Sequence, residues 1–134
     1  MNKMNNLFLL AAILLSVCQL NFAQSSNSVS SINSVSANEF NKLVSSGNYT
    51  LLDIRTTKEF EEGHINSAIN IDFYNREFEQ KILLYKSVPV LIYSRSSGQS
   101  KQALNKLSEL NFEKVVELEN GIVAWKREGL PLVK

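Results

Sequence analysis

Residues 89–110 read PVLIYSRSSGQSKQALNKLSEL. The opening PVLIY is an unbroken apolar run rich in β-branched and aromatic residues, as expected of a strand covered on both faces. From Ser100 to Leu110, the residues Ala103, Leu104, Leu107 and Leu110 recur at helical spacing. Between strand and helix lie Ser94, Arg95, Ser96, Ser97, Gly98, Gln99 and Ser100, all small or polar, with one charged residue, Arg95, among them. A tight loop there aims several backbone N–H groups, and the positive end of the helix dipole, at one point. Two explanations stand at this stage: an anion cradle, or a turn kept small for steric reasons alone.

Working outward from this segment, the same alternation recurs. Tyr49–Ile54 (YTLLDI) reads as a second buried strand, Ala68–Ile71 as a brief one and Lys114–Leu118 as another. Ser36 with Glu39, and Thr56 with Glu59, are capping-box pairs opening helices that Gly47 and Gly63 end. Glu77–Tyr85 and Gly121–Glu128 supply two more helical segments. Strands alternating with helices predict a three-layer α/β/α domain around a mostly parallel sheet of four to five strands. Such sheets bind ligands where strand ends meet helix starts.

The N-terminal part has a different character. MNKMNN, then the apolar run from Leu7 to Leu15, then small residues, describes a secretory signal over residues 1–23, cleaved after Ala23. The run falls short of the roughly 20 apolar residues of a membrane span. The rival reading is a lipoprotein signal ending at Cys18, against which the bulk of Val17 counts. On either route the exported protein has no free thiol, and only in the second does it meet a membrane. Residues 24–36 form a Ser-rich linker, with seven serines among residues 25–36, and its end near Ile32–Val35 has the composition for an edge strand. The folded domain is expected over residues 37–134.

Hydrophobic residues at 44% and charged ones at 20% place the chain among globular proteins. Beyond residue 23 there are thirteen basic and thirteen acidic residues, so no basic footprint points to nucleic acid. One cysteine and one histidine exclude a disulfide framework and make a metal centre a poor expectation, and no cofactor is expected.

Two further segments carry a resemblance. Leu51–Ala68 (LLDIRTTKEFEEGHINSA) is similar to the Asp-x-Arg and Glu-Phe-x-x-Gly-His-Ile segment of the rhodanese homology domain, and Gly121–Pro131 (GIVAWKREGLP) to its Gly-x-x-x-Trp-x-x-x-Gly-x-Pro ending. With the loop between them in order and spacing, residues 37–134 resemble a single-domain member of the sulfurtransferase superfamily. The resemblance implies that the DIR strand lies beside the VLIYS strand and that the active-site loop begins at Ser94. Active members carry cysteine there, and its thiolate holds a sulfane sulfur as a persulfide between donor and acceptor. Here Ser94 replaces that cysteine, Gln99 replaces the arginine usual near the loop end, and Ser67 stands where glycine is usual. Oxygen cannot substitute for sulfur in a reversible persulfide, so the cycle lacks its carrier atom.

The expectation is an exported rhodanese-like domain, silent as a thiosulfate sulfurtransferase, that binds a small anion or a protein partner through the loop Ser94–Ser100. Asp53 and Arg55 are expected to support the loop, the carboxylate accepting loop N–H bonds. The alternative is altered chemistry with Ser94 as nucleophile, which needs a base and an orienting carboxylate; His64 is the only histidine and sits in a segment where it supports packing. Trp125 and Phe60 read as core, and Arg95 as either an anion clamp or a solvated side chain.

Overall fold

The computed structural model describes residues 31–134; the expected signal, residues 1–23, and the first part of the Ser-rich stretch lie outside the described residues. Five parallel strands form one sheet in the order β1-β5-β4-β2-β3, with β1 at Ser31–Val35, β2 at Thr50–Asp53, β3 at Ile69–Asn70, β4 at Val90–Tyr93 and β5 at Lys114–Leu118. The helices are α1 (Ala37–Ser46), α2 (Thr57–Glu62), α3 (Phe78–Ile82), α4 (Ser97–Glu109) and α5 (Gly121–Arg127), with a 3₁₀ turn at Leu83–Tyr85 after α3. Among the described residues no helix is long and apolar enough to cross a membrane.

The three central strands alternate between two cores. Leu51, Leu91, Tyr93, Val116 and Leu118 pack with Phe40, Ile122 and Trp125 of α1 and α5 on one face. Leu52, Val90, Ile92 and Val115 pack with Phe78, Ile82, Ala103 and Leu107 of α3 and α4 on the other. Both faces are therefore covered, as the apolar runs required. Trp125 is buried, donates its indole N–H to Pro131 O at 2.9 Å and meets Phe40 edge-on.

Several expectations shift in detail. Residues 31–35, the end of the Ser-rich stretch, form the edge strand β1, paired with β5 in the register Ile32 to Val115 and Ser34 to Glu117. Thr56 and Glu59 make a full capping box, whereas at Ser36 only the hydroxyl-to-Glu39 N–H half forms. Helix α4 begins at Ser97 rather than Ser100. The apolar spacing that marks it appears only at Ala103, because its first turn faces the loop and not the core.

Connectivity fixes where a ligand can sit. From β2 the chain leads outward to β3, and from its neighbour β4 it leads the opposite way to β5. The loops leaving β2 and β4 thus part from a common crevice at the carboxyl ends of adjacent strands. Arg55 leaves one of these strands and Ser94 the other.

Candidate functional site

Only Ser94, Arg95 and Ser96 link β4 to α4. Ser96 caps the helix with extended backbone and no side-chain cap bond. The N–H groups of Ser97, Gly98 and Gln99 accordingly have no acceptor among the described residues, and residues 95–98 are exposed. These donors at the start of a thirteen-residue helix are oriented to receive negative charge. The Gln99 side chain lies across the loop: its amide oxygen accepts from Arg95 N–H at 3.2 Å, and its amide nitrogen donates to Ile54 O at 3.3 Å. A neutral amide thus occupies one donor of the cradle and ties the loop to the end of β2.

Ser94 is fully buried. Its hydroxyl donates to Ser96 O at 2.8 Å and lies 2.5 Å from the Ser100 hydroxyl, itself buried. The side chain is committed to holding the turn. A nucleophilic serine needs a base within hydrogen-bond reach, and among the described residues none contacts this oxygen. His64 is engaged elsewhere: Nδ1 lies 3.0 Å from Phe60 O, the ring stacks on Phe60 with centroids 3.7 Å apart, and its backbone bridges to Val133. That is the packing role expected of it.

The loop is shaped from below by the β5–α5 turn. Asn120 and Gly121 take φ of 60° and 57°, and Ile122 N–H donates to Ser94 O at 2.9 Å. Ser97 Oγ donates to Asn120 Oδ1 at 2.8 Å. A β-carbon on Gly121 would lie 2.3 Å from Ser94 O and 2.8 Å from the Arg95 carbonyl carbon. In sequence, Gly121 reads as the start of a helical segment and of the family-like ending, and Asn120 is not singled out. The Asn-Gly pair is the usual sign of two successive left-handed residues and was the available signal. Gly98, by contrast, has no positive φ and nothing within 4 Å of its would-be β-carbon.

Asp53 and Arg55 depart from expectation. The Asp53 carboxylate accepts no loop N–H; it accepts from Arg55 Nη2 at 2.6 Å, Arg55 Nε at 3.0 and 3.1 Å, and the Arg55 backbone N–H at 2.9 Å. The reason is proximity, since two residues along the same chain end the carboxylate meets a buried guanidinium that would otherwise be unpaired. Arg55 also donates to Gly63 O at 2.9 Å and lies over the Tyr93 ring, 5.4 Å from its centroid. Burial works against the Arg55 charge, but the bonds and charge of Asp53 outweigh it and raise its pKa. Burial first, and the Asp53 carboxylate second, push the Tyr93 hydroxyl far above the ordinary tyrosine range. The triad supports the site by fixing the β2 end and the Gly63 turn, without touching the loop.

Beside the loop is an open cavity of about 320 Å³ whose charged lining is Arg55, Arg95 and Lys126 against Glu59 and Glu62. Arg55 is neutralised by Asp53, and Arg95, with a side chain 74% exposed, sits 3.9 Å from Glu59 Oε1. What the site offers chemically is a set of N–H donors with two exposed cations, Arg95 and Lys126, at the rim. Among the described residues it offers no thiol, and no base contacts the Ser94 hydroxyl.

Residues 36–128 match the family model described as Rhodanese-like domain. A sulfurtransferase of Allochromatium vinosum is 34% identical over 92 residues, covering 69% of this chain and 85% of that protein. An uncharacterized protein of Buchnera aphidicola is 30% identical over 94 residues, covering 69% of this chain and 65% of that one, so the chain spans about two thirds of its length. A rhodanese-related protein from Thermoplasma volcanium has a crystal structure that aligns with a TM-score of 0.66 at 29% identity, over 75% of this chain and 97% of that one. Parallel sheet, strand order, loop and sequence agree: the chain belongs to the rhodanese-like domain family.

Proposed function

We propose that this protein is an exported rhodanese-like domain that has no thiosulfate sulfurtransferase activity and uses the N–H groups of its loop to bind an anionic group, carried by a small molecule or displayed by a partner protein. The observation that carries the reading is the state of residue 94. Its atom is oxygen, it is buried, and it is consumed by bonds to Ser96 and Ser100. A persulfide cycle needs a polarisable sulfur nucleophile of lowered pKa at that position. The donors of Ser97 and Gly98 are open to solvent and supply the electrostatic half of such a site without its chemical half. The sequence of residues 1–23 motivates export.

The test is thiosulfate-to-cyanide sulfur transfer by the full-length chain carrying Cys18→Ser. Thiocyanate formation should not exceed that of denatured protein. A sulfur-loaded adduct on this variant, detected as a mass gain of one sulfur, would overturn the reading. Adding Ser94→Cys should yield measurable turnover, because the N–H donors that stabilise a thiolate are already in place. Titrating the unaltered protein with thiosulfate should shift the amide resonances of Ser97, Gly98 and Gln99, and silence there rejects the anion-binding part.

A further inference from the structure

A cavity of about 490 Å³ lies on the α4 side of the sheet, bounded by Ile32 and Ser34 of β1, Glu117 of β5, and Lys101, Leu104 and Asn105 of α4. Glu117 is its unusual member. Alternation along β5 places it on the same face as Val115, which belongs to the apolar core against α4. In register it lies between Ser34 and Ile92. It is 7% exposed in a strand whose other buried residues are Val115, Val116 and Leu118. Its hydrogen-bond donor is the Ser34 hydroxyl, on Oε2 at 2.5 Å. No Lys, Arg or His among the described residues comes within ion-pair distance.

Removing a carboxylate from water with one neutral donor is unfavourable. Oε1 has no donor among the described residues, yet no unsatisfied side-chain oxygen is fully enclosed, so this atom opens onto the cavity it lines. A negative oxygen directed into a concave space, with Ile32 and Leu104 beside it, is the complement of a cation attached to a short hydrocarbon. The space falls within the range of small-molecule sites. We infer that this cavity binds a small organic ammonium, a protonated primary amine whose nitrogen bonds Glu117 and whose chain lies along Ile32 and Leu104. The site is separate from the N–H cradle and opposite in charge preference. The Ser97–Asn120 bond stands between them, since both residues line this cavity while Ser97 also contributes an N–H to the cradle.

The experiment compares n-butylammonium chloride, n-butanol and sodium butyrate as ligands of the full-length chain, read by amide chemical shifts and by thermal midpoint against sodium chloride at equal concentration. n-Butylammonium should shift the resonances of Ser34, Glu117 and Leu104 saturably and raise the midpoint, whereas butanol and butyrate should do neither. Glu117→Gln keeps shape and the Ser34 bond, so it should fold normally and bind n-butylammonium at least about tenfold more weakly. Lys101→Met should strengthen binding by removing a like charge from the rim. Equal responses to butanol, undiminished binding in Glu117→Gln, or no saturable shift at 50 mM n-butylammonium would each overturn the inference. So would contact between Lys101 and Glu117 in solution that leaves the carboxylate already neutralised.

Discussion

Replacing Gly121 by alanine tests whether the turn beneath the loop sets its shape. At φ 57° an L-residue costs about 1–2 kcal/mol. The new β-carbon would also stand 2.3 Å from Ser94 O and 2.8 and 2.9 Å from the Arg95 carbonyl atoms, all of them backbone. Relieving that overlap means moving the loop or the first turn of α5, at about 1–3 kcal/mol. The Ile122-to-Ser94 hydrogen bond, 2.9 Å long, is stretched by the same movement. Against this, alanine loses less chain entropy on folding, an offset of about 0.4–1 kcal/mol. The net loss is about 3 kcal/mol, or roughly 10–20 °C in thermal midpoint for a domain of this size. Gly98→Ala is the matched control: the same chemical change, at a helical position with open space around it, should be neutral or stabilise by up to about 1 kcal/mol. Urea unfolding of both variants, followed by circular dichroism, gives the comparison. Should Gly121→Ala fall within about 1 kcal/mol of the parent, or Gly98→Ala prove equally damaging, the account of how the loop is held is wrong.

Ser67 has φ 69°, in the left-handed region that favours glycine, so Ser67→Gly should stabilise by about 0.5–1 kcal/mol in the same urea assay, after the entropy of glycine is set against the relieved strain. Asp53→Asn leaves the Arg55 guanidinium buried without its counter-ion and should destabilise by about 3–5 kcal/mol, measured as a fall in urea midpoint. The raised pKa of Tyr93 makes it a source of alkaline instability. Below the unfolded pKa of about 10 its contribution is complete; above it the unfolded chain loses the phenolic proton and the folded one does not, so stability falls by up to about 1.4 kcal/mol per pH unit. Tyr93→Phe should be less stable at pH 7, having lost the acceptor for Ile65 N–H at 3.1 Å, yet decline less steeply above pH 10; parallel curves would refute the assignment. The Ser94→Cys variant should gain further turnover from Gln99→Arg, which removes the amide lying on Arg95 N–H and restores a cation.

The architecture was legible because the sheet is buried on both faces. YTLLDI, VLIY and KVVEL announce themselves as strands without any need for alternation, and their intervals leave room only for crossover helices. Less was legible where one residue serves two neighbours. Asp53 was assigned to the loop from its position at a strand end, but the guanidinium two residues later competes for the same oxygens at shorter range. Gln99 reads in sequence as a missing charge; in space it is a strap between Arg95 and Ile54. Glu117 looks in sequence like one polar residue at the end of a strand, and only the register of β1, from a stretch whose composition resembles a tether, encloses it.

The loop that begins at Ser94 is held mainly by its neighbours. Ser94 O is bound by Ile122, Ser97 by Asn120, and the gap beneath is one that only glycine at 121 leaves open. These contacts are made through backbone atoms or through residues other than the side chain at 94, so that side chain is one of several groups that hold the turn. The hydroxyl of Ser94 adds two local bonds and a thiol makes weaker ones, which makes serine the more rigid occupant and cysteine the more reactive one. A loop so determined keeps its N–H groups aligned whether or not a nucleophile stands among them. On the proposed reading the cradle and the sulfur chemistry are separable in this protein, and Ser94→Cys alone should add the second to the first.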